Sequence, residues 1–74
     1  MIDKLVARME TEIVEFCFLK GNGEVRTARG TLRQDICPKI MGGGRPTPEH
    51  LQVFYDVDKQ AWRSFNKERL IAIQ

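Results

Sequence analysis

The residues best suited to chemistry are cationic and aromatic, and they crowd towards the end of the chain. Arg63 sits between Trp62 and Ser64, and Arg69 follows beyond a short polar run. An arginine fork can bind a phosphate through two parallel hydrogen bonds, which a lysine cannot do. Tyr55 and Trp62, the single Tyr and single Trp of the chain, flank the preceding turn. Exposed aromatics beside arginines can stack bases or anchor a protein interface. Lys67 in the same stretch and Arg29 from an earlier one complete the set. The candidate ligand or nucleic-acid binding residues are therefore Arg63, Arg69, Tyr55, Trp62, Lys67 and Arg29. Three of them have a structural alternative. Arg63 can pair with Asp56 or Asp58 across a hairpin. Arg26, Arg29 and Arg33 can form a solvated face, and Trp62 can pack in the core.

Catalytic chemistry is poorly provided for. His50 is the single histidine, and Cys17 and Cys37 are the two cysteines. They read as reduced thiols, with too few ligands at too wide a spacing for zinc. No Cys-His or Ser-His pair has an orienting acid, and no carboxylate pair has a cleft around it. The run Gly42-Gly43-Gly44-Arg45 invites a phosphate-loop reading. It lacks the lysine and Ser/Thr of such a loop, and Pro46 and Pro48 stand where a helix should begin. The expectation is a protein that is not an enzyme, with no cofactor and no metal.

Composition sets the frame. The chain has 74 residues, 42% hydrophobic and 30% charged, which suits one folded globular domain spanning 1–74. A domain of this size buries only about 60% of its unfolded surface, too little for a deep catalytic cleft. Net charge is +2 but unevenly spread: residues 1–24 carry three basic against five acidic side chains, and residues 25–74 carry nine against five. That favours an anionic partner mildly. No apolar run is long enough to span a bilayer, and the charged N-terminus is unlike a signal peptide. The expected location is cytoplasmic, or the host cytoplasm if the chain is phage-encoded.

The elements that must position these residues follow from periodicity. Ile2, Leu5, Val6 and Met9 lie at helical spacing, which predicts a helix within 1–11 capped by Asp3. Glu12 to Lys20 alternates with period two, Val14, Phe16 and Phe18 sharing one face. Gly21-Asn22-Gly23 then predicts a hairpin to a second strand over Glu24 to Arg33. There Ala28, Gly30 and Leu32 share one face, and Gly30 predicts a bend or bulge. Residues 34–50 hold all three prolines and the glycine run, and read as a long loop with one turn at Asp35 to Cys37. Leu51 to Asp56, Ala61 to Phe65 and Leu70 to Ile73 read as three more strands, with a helical turn ending at Arg69 before the last. The fold class is mainly β: a small five-stranded Sm-like or SH3-like barrel preceded by an N-terminal α-helix. Closure would remove most of its edges.

Phe54-Tyr55-Asp56, a polar turn, Trp62-Arg63-Ser64-Phe65 and then Arg69-Leu70 together resemble the core of the WYL domain family. The match covers roughly Gln52 to Ile73. The whole chain looks like the short stand-alone relatives of that family found in tailed phages and some bacteria. In larger members the resemblance implies a regulatory barrel that senses a nucleic acid or nucleotide-like ligand through a basic pocket. Arg63 matches the arginine before the Phe, and Arg69 that of the closing turn. Asn66 stands where the family usually carries a further arginine, and Leu-Gln-Val-Phe replaces its Trp-Tyr-Leu strand.

The expected function is a small non-catalytic binding module, phage-encoded and regulatory, that takes nucleic acid or a nucleotide-like ligand. The alternative is a protein-interaction module that binds a host or phage protein. Barrels of this kind often pair end strands, so a homo-oligomer is a third expectation.

Overall fold

The computed structural model describes residues 1–37 and 47–74. The glycine run, Arg45 and most of the expected long loop lie outside the described residues.

Five strands follow one helix. They are α1 (Ile2–Met9), β1 (Val14–Leu19), β2 (Val25–Thr31), β3 (Leu51–Asp56), β4 (Ala61–Asn66) and β5 (Leu70–Ile73), with a 3-10 turn at Lys67–Arg69 before β5. The order in the sheet is β4-β3-β2-β1-β5, and every pairing is antiparallel. This is the mainly β architecture with a leading helix that periodicity predicts. The two ends of the sheet are β4 and β5, which the 3-10 turn joins in sequence but no ladder joins in space among the described residues.

The helix begins two residues earlier than a cap at Asp3 predicts. Met1 takes the cap position with no side-chain cap, and Leu5 N–H donates to Met1 O at 3.2 Å. Asp3 thus falls in the first turn, where its charge still favours the helix dipole. Leu5 and Met9 are fully buried, with Ile2 and Val6 packed beside them.

The first hairpin forms where Asn-Gly places it. Lys20 N–H donates to Glu24 O at 2.7 Å, Asn22 Oδ1 accepts from Glu24 N–H at 3.1 Å, and Gly23 takes φ +88°. No β-carbon opposes that φ in glycine. β1 then pairs with β2 in unbroken register from Leu19↔Val25 to Val14↔Gly30. The bend expected at Gly30 is absent from this ladder. The irregularity lies between Cys17 and Phe18, where β5 joins β1. Gly30 serves a different need, since a β-carbon there would stand 2.5 Å from Phe54 Cδ2 and 3.1 Å from Phe16 Cε1.

The core is a cluster of all four phenylalanines. Phe16 meets Phe54 edge-on at 5.1 Å between centroids, and Phe18 stacks on Phe65 at 5.0 Å and 23°. Such pairs add about 0.5–1.5 kcal/mol each beyond their area. Trp62 does not join them. It meets Tyr55 edge-on at 5.7 Å, both half-buried on the outer face of the β3–β4 pair. Tyr55 opposes Trp62 in register while Phe54 opposes Arg63, so alternation puts the two pairs on opposite faces.

Thr31 closes the structure at the helix end. It is fully buried, and its Oγ1 lies 3.1 Å from Met9 O and 3.0 Å from Glu12 O while accepting from Arg33 N–H at 3.1 Å. Asp56, also buried, accepts from Asp58 and Lys59 N–H at 3.0 Å each and so shapes the β3–β4 turn.

Candidate functional site

The strand rows that bury phenylalanines end in cations at one mouth of the sheet. On β1 the buried row Val14, Phe16, Phe18 runs on to Lys20. On β2 the row Gly30, Ala28 runs on to Arg26, which opposes Phe18 in register. On β4 the buried Phe65 is followed, two residues back, by Arg63. Arg69 arrives from the other direction, at the end of the 3-10 turn. Asn66 caps that turn by accepting Glu68 N–H on Oδ1 at 3.0 Å. Arg69 is held in place by a hydrogen bond from Nη1 to Lys20 O at 3.2 Å.

These residues line a cleft of about 430 Å³. Phe18, Phe65 and Leu51 supply its apolar lining, and Lys20, Arg26, Arg63 and Arg69 its cations. Among the described residues no carboxylate side chain lines it. Glu24 reaches Lys20 Nζ only at 4.0 Å.

The other described arginines are differently placed. Arg8 pairs with Glu12 at 3.2 Å, Arg29 with Asp58 at 3.1 Å, and Arg33 with Asp35 at 2.7 Å. Arg26, Arg63 and Arg69 have no carboxylate partner within 4.0 Å among the described residues, and all three meet at the cleft. Exposed ion pairs contribute little to stability, so this sorting matters for where positive charge is left uncompensated. It also settles the alternative for Arg63. Asp58 is taken by Arg29, and Asp56 Oδ1 by backbone N–H groups.

The structure brings together two of the six sequence candidates, Arg63 and Arg69. Tyr55 and Trp62 lie on the outer face instead. Arg63, on an edge strand, also borders the shallow outer groove beside Val53 and Trp62. Trp62 Nε1 is buried with no acceptor among the described residues. Lys67 is half-buried outside the cleft lining, and its N–H donates to His50 O at 2.8 Å. Arg29 is on the outer face with Asp58. Sequence reading missed Lys20 and Arg26. The signal was available: both continue the alternation that buries Phe18 and Ala28, one step past the point where the row stops being apolar.

Elsewhere, Cys37 Sγ lies 3.6 Å from Thr31 O, and burial, then the Asp35 carboxylate, push its thiol pKa upward. Among the described residues no group of three His, Cys, Asp or Glu is arranged to hold a metal ion. No helix among them is long and apolar enough to cross a membrane.

Against known proteins, the family model described as WYL_2, Sm-like SH3 beta-barrel fold, matches residues 2–71. No curated protein and no solved structure matches the chain.

Proposed function

We propose, for a chain that belongs to the WYL_2 family of Sm-like SH3 beta-barrel folds, a small non-catalytic module that binds a nucleic acid or a nucleotide-like ligand at the mouth of its barrel. The observation that carries this reading is the sorting of the arginines. Among the described residues, Arg26, Arg63 and Arg69 are left without carboxylates in one cleft, while Arg8, Arg29 and Arg33 are each paired. Uncompensated guanidinium groups over an apolar floor suit a phosphate joined to a base. A regulatory role follows if occupancy of the cleft is what other components read. A phage-encoded setting in the host cytoplasm is the context the family resemblance suggests.

The test is fluorescence anisotropy with labelled single-stranded DNA and RNA at about 50 mM salt, followed by a salt titration. The logarithm of the affinity should fall linearly with the logarithm of the salt concentration, because binding releases counterions from the phosphates. The double variant R63A/R69A should lose binding while R29A keeps it. No binding of any labelled strand or nucleotide at low salt would sink the reading.

A second reading, a protein-interaction module, draws on the Tyr55–Trp62 pair. The two rings lie half-buried on the outer face, with the buried Trp62 Nε1 lacking an acceptor among the described residues. Trp and Tyr are the favoured anchors of interfaces. A pull-down from host lysate with and without nuclease separates the readings: nuclease-resistant capture lost in W62A supports a protein partner. The unpaired edges of β4 and β5 leave self-assembly as a third arrangement, which light scattering decides.

A further inference from the structure

We infer that the cleft is a site for a single phosphate monoester, with Lys20 and Arg26 of the first hairpin completing the cation set of Arg63 and Arg69. This rests on the reading of the mouth as an anion site and names the chemistry of its ligand.

Three observations lead there. First, the four cations come from three separate parts of the fold. Lys20 and Arg26 stand on either side of the Gly21-Asn22-Gly23 turn, Arg63 lies on the edge strand β4, and Arg69 leads into β5. All four line one cleft. A site that tracks a nucleic-acid backbone spreads its cations along the strand. Cations gathered at one cleft of this size suit one highly charged group.

Second, the side-chain lining is rich in donors and poor in acceptors. The guanidinium groups and the ammonium donate only. Asn66 Oδ1 is already engaged by Glu68 N–H, which leaves its amide NH₂ as the unused half. The Lys20 carbonyl already receives Gly23 N–H at 2.9 Å and Arg69 Nη1 at 3.2 Å. A phosphate monoester offers three acceptor oxygens and about −1.5 to −2 of charge near neutrality. An internal diester offers less of both.

Third, the size fits one unit. The cleft holds about 430 Å³, near the lower end of ordinary small-ligand sites. Its apolar lining from Phe18, Phe65 and Leu51 can cover one base or a comparable planar group beside the phosphate.

The shared chemistry is a terminal phosphate next to a planar apolar group. A free mononucleotide and the phosphorylated end of a strand both carry it. Isothermal titration with five probes distinguishes them: inorganic phosphate, adenosine, adenosine monophosphate, and a short single strand with either a phosphate or a hydroxyl at its end. Adenosine monophosphate should bind more tightly than inorganic phosphate, and adenosine should not bind. The phosphorylated strand should bind about tenfold or more tightly than its hydroxyl counterpart if strand ends are the source. Failure of both strands beside a binding mononucleotide assigns the free nucleotide. R26A should weaken adenosine monophosphate about tenfold, R26K should recover part of that loss, and R29A should leave binding unchanged. Circular dichroism of each variant checks the fold, and R26K keeps the test decisive if R26A unfolds. A hydroxyl-ended strand that binds more tightly than adenosine monophosphate, or full affinity in folded R26A, overturns the inference and leaves the mouth as an anion site. No binding by any probe overturns both.

Discussion

Arg69 Nη1 donates to the Lys20 carbonyl at 3.2 Å, tying the start of β5 to the end of β1 across 49 positions of sequence. The same oxygen accepts Gly23 N–H at 2.9 Å, so one carbonyl joins the hairpin turn to the closing strand. Arg63 makes no such bond among the described residues. The two arginines of the cleft should therefore respond differently to removal. R63A should change stability by no more than about 0.5 kcal/mol, as exposed substitutions usually do. R69A should cost about 0.5–1.5 kcal/mol, the ordinary net value of a hydrogen bond. Both should lose ligand affinity. Urea denaturation of the two variants, compared with their binding curves, checks the separation.

Gly30 is defined by the ring beside it. A β-carbon there would lie 2.5 Å from Phe54 Cδ2, against a ring that is itself fully buried. Overpacking of this kind costs about 1–3 kcal/mol or more. G30A should lower the urea midpoint accordingly. In the F54A background the same change should cost less, because the Cγ and Cδ2 atoms that block it are gone, and the difference between the two costs is the coupling measured by the cycle.

Thr31 should be more sensitive than its place in a small polar strand suggests. Its hydroxyl is fully buried between Met9 O and Glu12 O, and it also receives Arg33 N–H. T31V keeps the shape and removes the hydroxyl. Met9 O retains Leu32 N–H at 2.9 Å, so the groups chiefly deprived are Glu12 O and Arg33 N–H. A loss of about 1–3 kcal/mol is expected, with T31S retaining most of the stability. Thermal unfolding of the pair checks it.

The Cys37 thiol should react slowly at mildly alkaline pH. Burial raises its pKa first and the Asp35 carboxylate second, so less thiolate is present than an ordinary cysteine would show. In a C17S background, alkylation of Cys37 should accelerate as pH rises beyond the usual thiol range. D35N should speed it only in part, since burial remains the larger cause, and unfolding in urea should remove the rest. An equal rate in the native and unfolded chain at the same pH would contradict this.

Much of the fold was legible because its signals are local. The alternation of Val14, Phe16 and Phe18 marked both the strand and its buried face, and Asn22-Gly23 placed the hairpin. The 3-10 turn before Leu70 also fell where expected. Thr31 shows where local signals stop. Alternation set it on the outer face with Arg29, but its hydroxyl is buried against the carbonyls of Met9 and Glu12 at the end of α1 and just beyond it. Nothing in residues 25–31 carries that information. Gly30 shows a related limit. Its presence was visible, but the cause is Phe54, a residue far along the chain that meets it only when β3 packs.

The candidate site divides the same way. Residue type and spacing singled out Arg63 and Arg69, since an arginine's planar fork is a property of the side chain itself. Which carboxylate each cation meets depends on register between strands, and register is settled by the packing of both faces at once. That is why Arg29 is spent on Asp58 while Arg26, three positions earlier and on the other face, joins the cleft. The sequence by itself determined the strands, the hairpin and the two arginines. Alternation carried the face of Lys20 and Arg26, but the tertiary structure alone decided that this face would meet Arg63 and Arg69 at one cleft and that Tyr55 and Trp62 would lie away from it, because facing across a sheet is a relation between distant segments and not a property of any one of them.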